Sequence, residues 1–152
     1  MKFSTRTFYG LKAIFVLAGR FGEGSLPVSH IAKKEGIPTA YLEQILNALK
    51  KKGLVKSVRG PQGGYMLAKK PADTSLDDLF RVLEGKNFFA VSDKLSVSST
   101  SDETAIANFI FWKKFEVVLQ KELSQMTLKQ LMDEAGHLKK TKSASLQQTF
   151  HI

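Results

Sequence analysis

The sequence predicts a mainly α fold with one small β-hairpin, joined to a long helix. Apolar residues recur at three- and four-residue spacing through several separate segments, the mark of amphipathic helices. One pair of short β-prone runs, "LVKSV" and "YMLA", flanks the turn "RGPQGG", the mark of a hairpin. Glycines, prolines and Ser or Thr caps punctuate the segments.

Ser4 is placed to cap a first helix over about residues 5–21. Its apolar face is expected to carry Phe8, Leu11, Phe15 and Ala18, widened by Ile14, Leu17 and Phe21. "GEGSLP" (22–27) stops it. Ser29 is expected to cap a short helix, "HIAKKEG", that ends at Gly36. Pro38 and Thr39 then start a longer helix, with Tyr41, Leu42, Ile45, Leu46 and Leu49 on its apolar side and Gly53 as its stop. Lys50, Lys51 and Lys52 near its C-terminus suit the helix dipole. After the hairpin, "KKPADTSLDDLFRVLEGK" holds another helix. Thr74 is its expected cap and Asp77 the third position, with Leu76, Leu79, Phe80 and Leu83 facing inward.

Residues 86–101 are serine-rich, show no clean period, and read as a loop with Phe88 and Phe89 as a local anchor. A long helix is expected from about Asp102 to Met126. Ala105, Phe109, Trp112, Leu119, Leu123 and Met126 form one apolar stripe; Phe111, Phe115 and Val118 form a second. A helix apolar on two faces is buried on two sides. One side suits its own domain and the other a second subunit, which makes Phe109, Trp112, Leu119 and Leu123 the dimerisation candidates. The competing reading, a central helix inside a monomer, needs more surrounding helices than the chain supplies. Thr127 opens a last short helix, with Gln130 completing a capping box. Residues 136–152 read as a disordered tail. Phe88, Phe89, Phe109 and Trp112 are open to two readings, an apolar pocket or plain core packing.

The formal net charge of +9 is unevenly spread: residues 1–70 hold 13 Lys and Arg against 3 Asp and Glu, residues 71–152 hold 10 against 11. Charge alone leaves open a polyanion partner and a solvated basic surface. With no cysteine, thiolate metal sites, disulfides and cysteine nucleophiles are excluded. The opening segment is not read as a leader, because Lys12 interrupts its apolar run. With no segment resembling a membrane span, a cytoplasmic location without membrane attachment is expected. His30, His137 and His151 are far apart in sequence, no G-x-x-x-x-G-K occurs, and Asp77 and Asp78 are explained as helix-start acids. Catalytic residues, metal ligands and cofactors are therefore expected to be absent.

Helix, short helix, corner, helix and hairpin, in that order, make a winged helix-turn-helix over residues 1–85. The loop 86–101 and the helices of 102–135 follow. Thr39, Ala40, Tyr41, Glu43, Gln44 and Asn47 lie on the leading part of the second helix, short or polar enough to meet a major groove. Glu43 can accept from a cytosine amino group and Gln44 can pair with adenine. Thr39 and Tyr41 can donate to phosphates, while Lys50, Lys51, Lys52 and Lys56 add sequence-independent attraction. Gly60, Gly63 and Gly64 thin the wing and leave Arg59 as the long cation at its tip, beside Gln62, suited to a narrow minor groove.

The run "YLEQILNALKKKGLVKSVRGPQGGYMLAKKPADTSLDDLFRVLEG" resembles the Rrf2 family of bacterial transcription regulators. The opening "MKFSTRTFYGLKAIFVLA" and the long Trp-containing helix followed by "TLKQLM" extend the resemblance over about residues 1–135. The resemblance implies a homodimer on a partly palindromic operator, with the long helices as its dimerisation element. It also implies base reading by Glu43 and Gln44, and minor-groove entry by Arg59. The position of Ala40 is a serine in some members. Many members place three cysteines, and often a histidine, in the loop and at the start of the long helix to hold an iron–sulfur cluster. Here "FFAVSDKLSVSSTSDETAIANFIFW" contains neither residue type. Thiolate ligation is impossible, so no cluster is expected. Cysteine-free members answer to partner proteins or small molecules, so a protein or small-molecule effector stays open, as does a winged helix used for protein contact alone.

Overall fold

The computed structural model describes residues 2–91, 95 and 101–141 of the chain. Helix α1 (Thr5–Gly19) starts where the Ser4 hydroxyl accepts the Thr7 amide at 3.3 Å. Ile14, Leu17 and Ala18 are buried as expected, joined by Gly10, Ala13 and Val16, whereas Phe8 is 60% exposed, Phe21 lies exposed beyond the helix, and Leu11 and Phe15 are half-buried. Gly10 lets a neighbouring helix approach α1 closely. A Cβ on Gly10 would fall 2.5 Å from a methyl of Leu83.

Helix α2 (Val28–Glu35) begins ahead of its expected cap, with Pro27, two residues before Ser29, at the cap position: the Pro27 carbonyl accepts the amides of His30 and Ile31, and Ser29 sits exposed within the first turn. Gly36 ends it in the left-handed region at φ 66°, and the Ile37 amide returns to the Ala32 carbonyl at 3.0 Å. Ile37 is buried by this turn, which fixes the corner into α3 (Thr39–Lys51). Leu42, Ile45, Leu46 and Leu49 of α3 are buried against α1, α2 and the elements that follow. Each such side chain contributes about 1.5–3 kcal/mol relative to exposure.

Strands β1 (Val55–Val58) and β2 (Gly64–Leu67) pair antiparallel, with Val55 opposite Leu67 and Val58 opposite Gly64. The buried Val55–Leu67 pair ties the base of the hairpin to the core. On its other side β2 meets Leu26: the Leu26 and Tyr65 backbones exchange two hydrogen bonds, each 2.8 Å. Gly64 makes this possible, because a Cβ there would lie 1.9 Å from the Leu26 carbonyl oxygen.

A 3-10 turn (Pro71–Asp73) leads to α4 (Leu76–Leu83). The cap is Ser75, with Asp78 completing the box, rather than Thr74 with Asp77. Thr74 is fully buried and its hydroxyl donates instead to the Lys70 carbonyl. Helix α5 (Glu103–Gln125) is capped by Asp102, and α6 (Leu128–Lys140) by the Thr127–Gln130 box. Two backbone hydrogen bonds, Leu76 to Met126 and Leu128 to Thr74, pin the starts of α4 and α6 together. The expected tail at 136–140 is instead the last turn of α6, closed by the Thr141 hydroxyl on the His137 carbonyl. Gly136 costs that helix about 1 kcal/mol, which the half-buried Leu138 helps offset. Residues 142–152 lie outside the described part. The aromatic anchor appears as expected, with Phe88 against Phe3 and Phe89 against Phe80.

The ends of α1 and α4 are joined by Glu84, whose carboxylate accepts from the Ser4 amide, the Ser4 hydroxyl and the Thr7 hydroxyl. Burial pushes its carboxyl up, but the hydrogen bonds from Thr7 and Ser4 and the charge of Arg6 outweigh that and hold it below the usual glutamate range.

Two outcomes are expected. Gly64→Ala should lose about 1–3 kcal/mol in urea unfolding through overpacking against Leu26. Because the folded-state pKa of Glu84 is depressed, its stabilisation is present above the ordinary glutamate pKa and lost as pH falls through the folded value. Glu84→Gln should therefore be less stable than wild type by about 1 kcal/mol at neutral pH, with the gap closing on acidification in the same unfolding assay.

Candidate nucleic-acid interface

Two elements frame the interface, and both are positioned by burial on their opposite sides. On α3, Ala40, Glu43, Gln44 and Asn47 are exposed at positions i, i+3, i+4 and i+7. This stripe lies opposite the buried leucines and isoleucine of the same helix, so core packing aims it at solvent. Thr39 opens the helix and is exposed. Tyr41 is the exception: it is half-buried, with its ring edge-on to Tyr9 at a centroid distance of 5.8 Å.

The electrostatics favour an anion at the start of α3. Pro38 provides no side-chain cap, and no acidic residue occupies the first turn. The leading amides therefore present the positive end of the helix dipole. Lys50 and Lys51 are exposed in the last turn and Lys56 is exposed on β1.

The wing connection carries Arg59, Gly60, Pro61 and Gln62, all exposed. Gly60 turns the chain at φ 110°, and the Gly63 amide closes back onto the Gly60 carbonyl at 2.9 Å. A Cβ on Gly63 would lie 2.4 Å from the Val58 carbonyl oxygen, so that glycine serves tight closure of the loop. The Ser25 hydroxyl donates to the Gln62 carbonyl at 2.8 Å and, with the Leu26 bridge, fastens the wing to the segment before α2. Sequence reading missed this fastening. "SLP" between two helices carries the only signal, a short extended stretch that could pair with a strand edge.

The long helix differs in detail from expectation. Leu123 packs on the chain's own core, and Phe109, Trp112 and Leu119 share its stripe of the helix and are half-buried. Large apolar side chains are exposed on two further sides of α5, Ile106, Ile110 and Val117 on one and Phe111, Phe115 and Val118 on the other, with Val117 and Val118 more than 60% exposed. Phe111, Trp112 and Phe115 form an aromatic cluster with centroid distances of 5.1–6.3 Å. His30 and His137 are exposed on separate helices, and His151 lies outside the described residues. Among the described residues, no three His, Asp or Glu side chains converge as a metal site. No described helix is long and apolar enough to cross a membrane.

A helical corner, an exposed polar stripe on its second helix and a fastened two-stranded wing define a winged helix-turn-helix protein of the transcription-regulator class. The chain belongs to the Rrf2 family, described as an iron-dependent transcriptional regulator, whose family model matches residues 3–134. It is 44% identical over 85 residues to the regulator CymR of Bacillus subtilis and 41% identical over 76 residues to IscR of Aliivibrio salmonicida. These alignments span 56% and 50% of this chain but 62% and 45% of the relatives, less than two thirds of their length. Among solved structures, CymR, the global cysteine regulator of B. subtilis, superposes with TM-score 0.72 at 34% identity, covering 88% of this chain and 98% of that one. IscR of T. potens gives TM-score 0.71 at 38% identity, covering 89% and 88%. Family and relatives alike are transcriptional regulators rather than enzymes.

The iron in the family description does not fit this chain's donor set. Without a cysteine no thiolate can bind iron or a cluster, and no alternative carboxylate–imidazole set converges among the described residues.

Proposed function

We propose that the chain is a sequence-specific DNA-binding regulator that acts in the bacterial cytoplasm as a homodimer, without an iron–sulfur cluster. The observation that carries this reading is the outward polar stripe Ala40, Glu43, Gln44 and Asn47, flanked by an uncapped helix start and by Arg59 on a fastened wing. Glu43 and Gln44 read base edges, and Asn47 extends their reach along the groove. Thr39 and Tyr41 meet phosphates, with Lys50 and Lys56 supplying salt-dependent attraction. Arg59, carried by the Gly60 turn with Gln62 beside it, enters the adjacent minor groove. Repression is the direct consequence, since a protein seated in the groove excludes others from the same base pairs.

A homodimer follows from α5. Six large apolar side chains exposed around α5 need cover, and a second copy supplies an identical, self-complementary surface. Two such reading heads select a partly palindromic operator. The contact residues are better sought at Phe111, Phe115, Val117 and Val118 than at Leu123, which already packs on its own core.

Selection of bound sequences from random duplexes tests the reading; recovery of no enriched site, with no anisotropy change on mixed duplex at low salt, would overturn it. On the selected site, Arg59→Ala should weaken binding by about 1–3 kcal/mol and relax preference at the flanking positions, read by fluorescence anisotropy. Phe111→Glu with Val118→Glu should sediment as a monomer at concentrations where wild type sediments as a dimer.

A further inference from the structure

A cleft of about 230 Å³ lies behind the reading head, between the end of α3, the base of the hairpin and α4. Four cations line it: Lys52, Lys69, Arg81 and Lys86. Asp78 is the carboxylate in the lining, and it is engaged in the α4 capping box, accepting the Ser75 amide. Arg81 is held by Asp77 through its Nε at 2.7 Å, which occupies one of its five N–H donors. Among the described residues, none of the three lysines is ion-paired with a carboxylate. Leu54 and Val82 supply the apolar part of the wall. Like charges gathered around a concavity, with little opposing charge, repel one another and focus a positive potential into it.

We propose that this cleft binds a compact phosphate-bearing anion, and that the anion is an effector of the regulator. Its size suits a diphosphate group or a small phosphorylated body, since sites that engulf larger ligands run to ~300–1,000 Å³. A fixed guanidinium and mobile ammonium groups are the donor set that phosphate oxygens recruit. The position argues against DNA as the occupant. Lys52 follows the C-terminal end of the 13-residue α3, roughly 20 Å along the axis from Thr39. Lys69 lies just past the base of β2, at the opposite end of the hairpin from Arg59. An anion here would clamp the ends of both reading elements to α4 and to Lys86, where the 86–101 segment starts. Control of operator affinity by this route rests on the DNA-binding reading; anion binding itself does not.

The test is calorimetric titration of the full chain with pyrophosphate and with ATP, alongside Lys69→Gln/Lys86→Gln, with thermal unfolding to verify that the variant folds. Saturable binding is expected, weakened about tenfold or more in the double variant. Equal affinity for the two probes would place recognition in the phosphates alone, and tighter ATP binding would add the organic body; both support the site. Duplex affinity of the variant at low salt, and its salt slope, should match wild type. No saturable binding of either probe, or binding indifferent to the substitutions, would overturn the proposal. So would a drop in duplex affinity with a salt slope lower by about one per lysine, which would assign these lysines to the DNA backbone. A wild-type chain that binds the probes but no duplex would instead overturn the DNA reading and leave the anion site standing.

Discussion

The burial of one side of α3 is the constraint on which the rest of the structure depends. Leu42, Ile45, Leu46 and Leu49 are all within 1% of full burial, and they meet α1, α2, α4 and β1. Once these four are seated, the helix cannot rotate, and its other face is fixed in direction. The polar stripe Ala40–Asn47 is thus aimed by hydrophobic packing alone; no polar contact is needed to hold it outward. The Gly36–Ile37 corner sets the angle at which α2 supports it.

The wing is fixed by a different kind of force. Its base is apolar, through Val55 and Leu67, but its tip would splay without the backbone exchange between Leu26 and Tyr65 and the Ser25–Gln62 bond. The glycine run therefore has separate duties. Gly60 provides the turn, Gly63 closes the loop, and Gly64 admits the Leu26 backbone. Only the first bears on how thin a tip is offered to a groove. Glu84 adds the complementary lock at the other end of the domain, gathering three donors from the start of α1 onto the end of α4.

The family description carries iron, and this chain has the winged helix-turn-helix without the chemistry to hold a thiolate-bound cluster. The two are physically separable. Phe88 and Phe89 anchor the start of the 86–101 segment on Phe3 and Phe80, but the described contacts that fasten the corner and the wing come from residues before 86, and the Ser75–Thr127 bridge joins α4 to α6 directly. The helical corner and the wing thus stand in this chain without a thiolate-bound cluster.

The sequence by itself determined the order of elements, the α3 core stripe, the capping box at Thr127 and the polar residues exposed on α3. These depend on local periodicity and capping, which neighbouring residues encode. It misassigned what depends on distant partners. Phe8 was expected inside because it recurs with Leu11, Phe15 and Ala18 at helical spacing, but it is exposed, and Leu83 instead approaches α1 at Gly10. Thr74 was expected as a cap because it fits the pattern, but its place against Lys70 and α6 left the role to Ser75. Which stripe of α5 turns inward, how Leu26 joins the hairpin, and which lysines surround one cleft were likewise decided only in the tertiary structure. Each is a contact between segments tens of residues apart, and spacing along a chain carries no information about such approach.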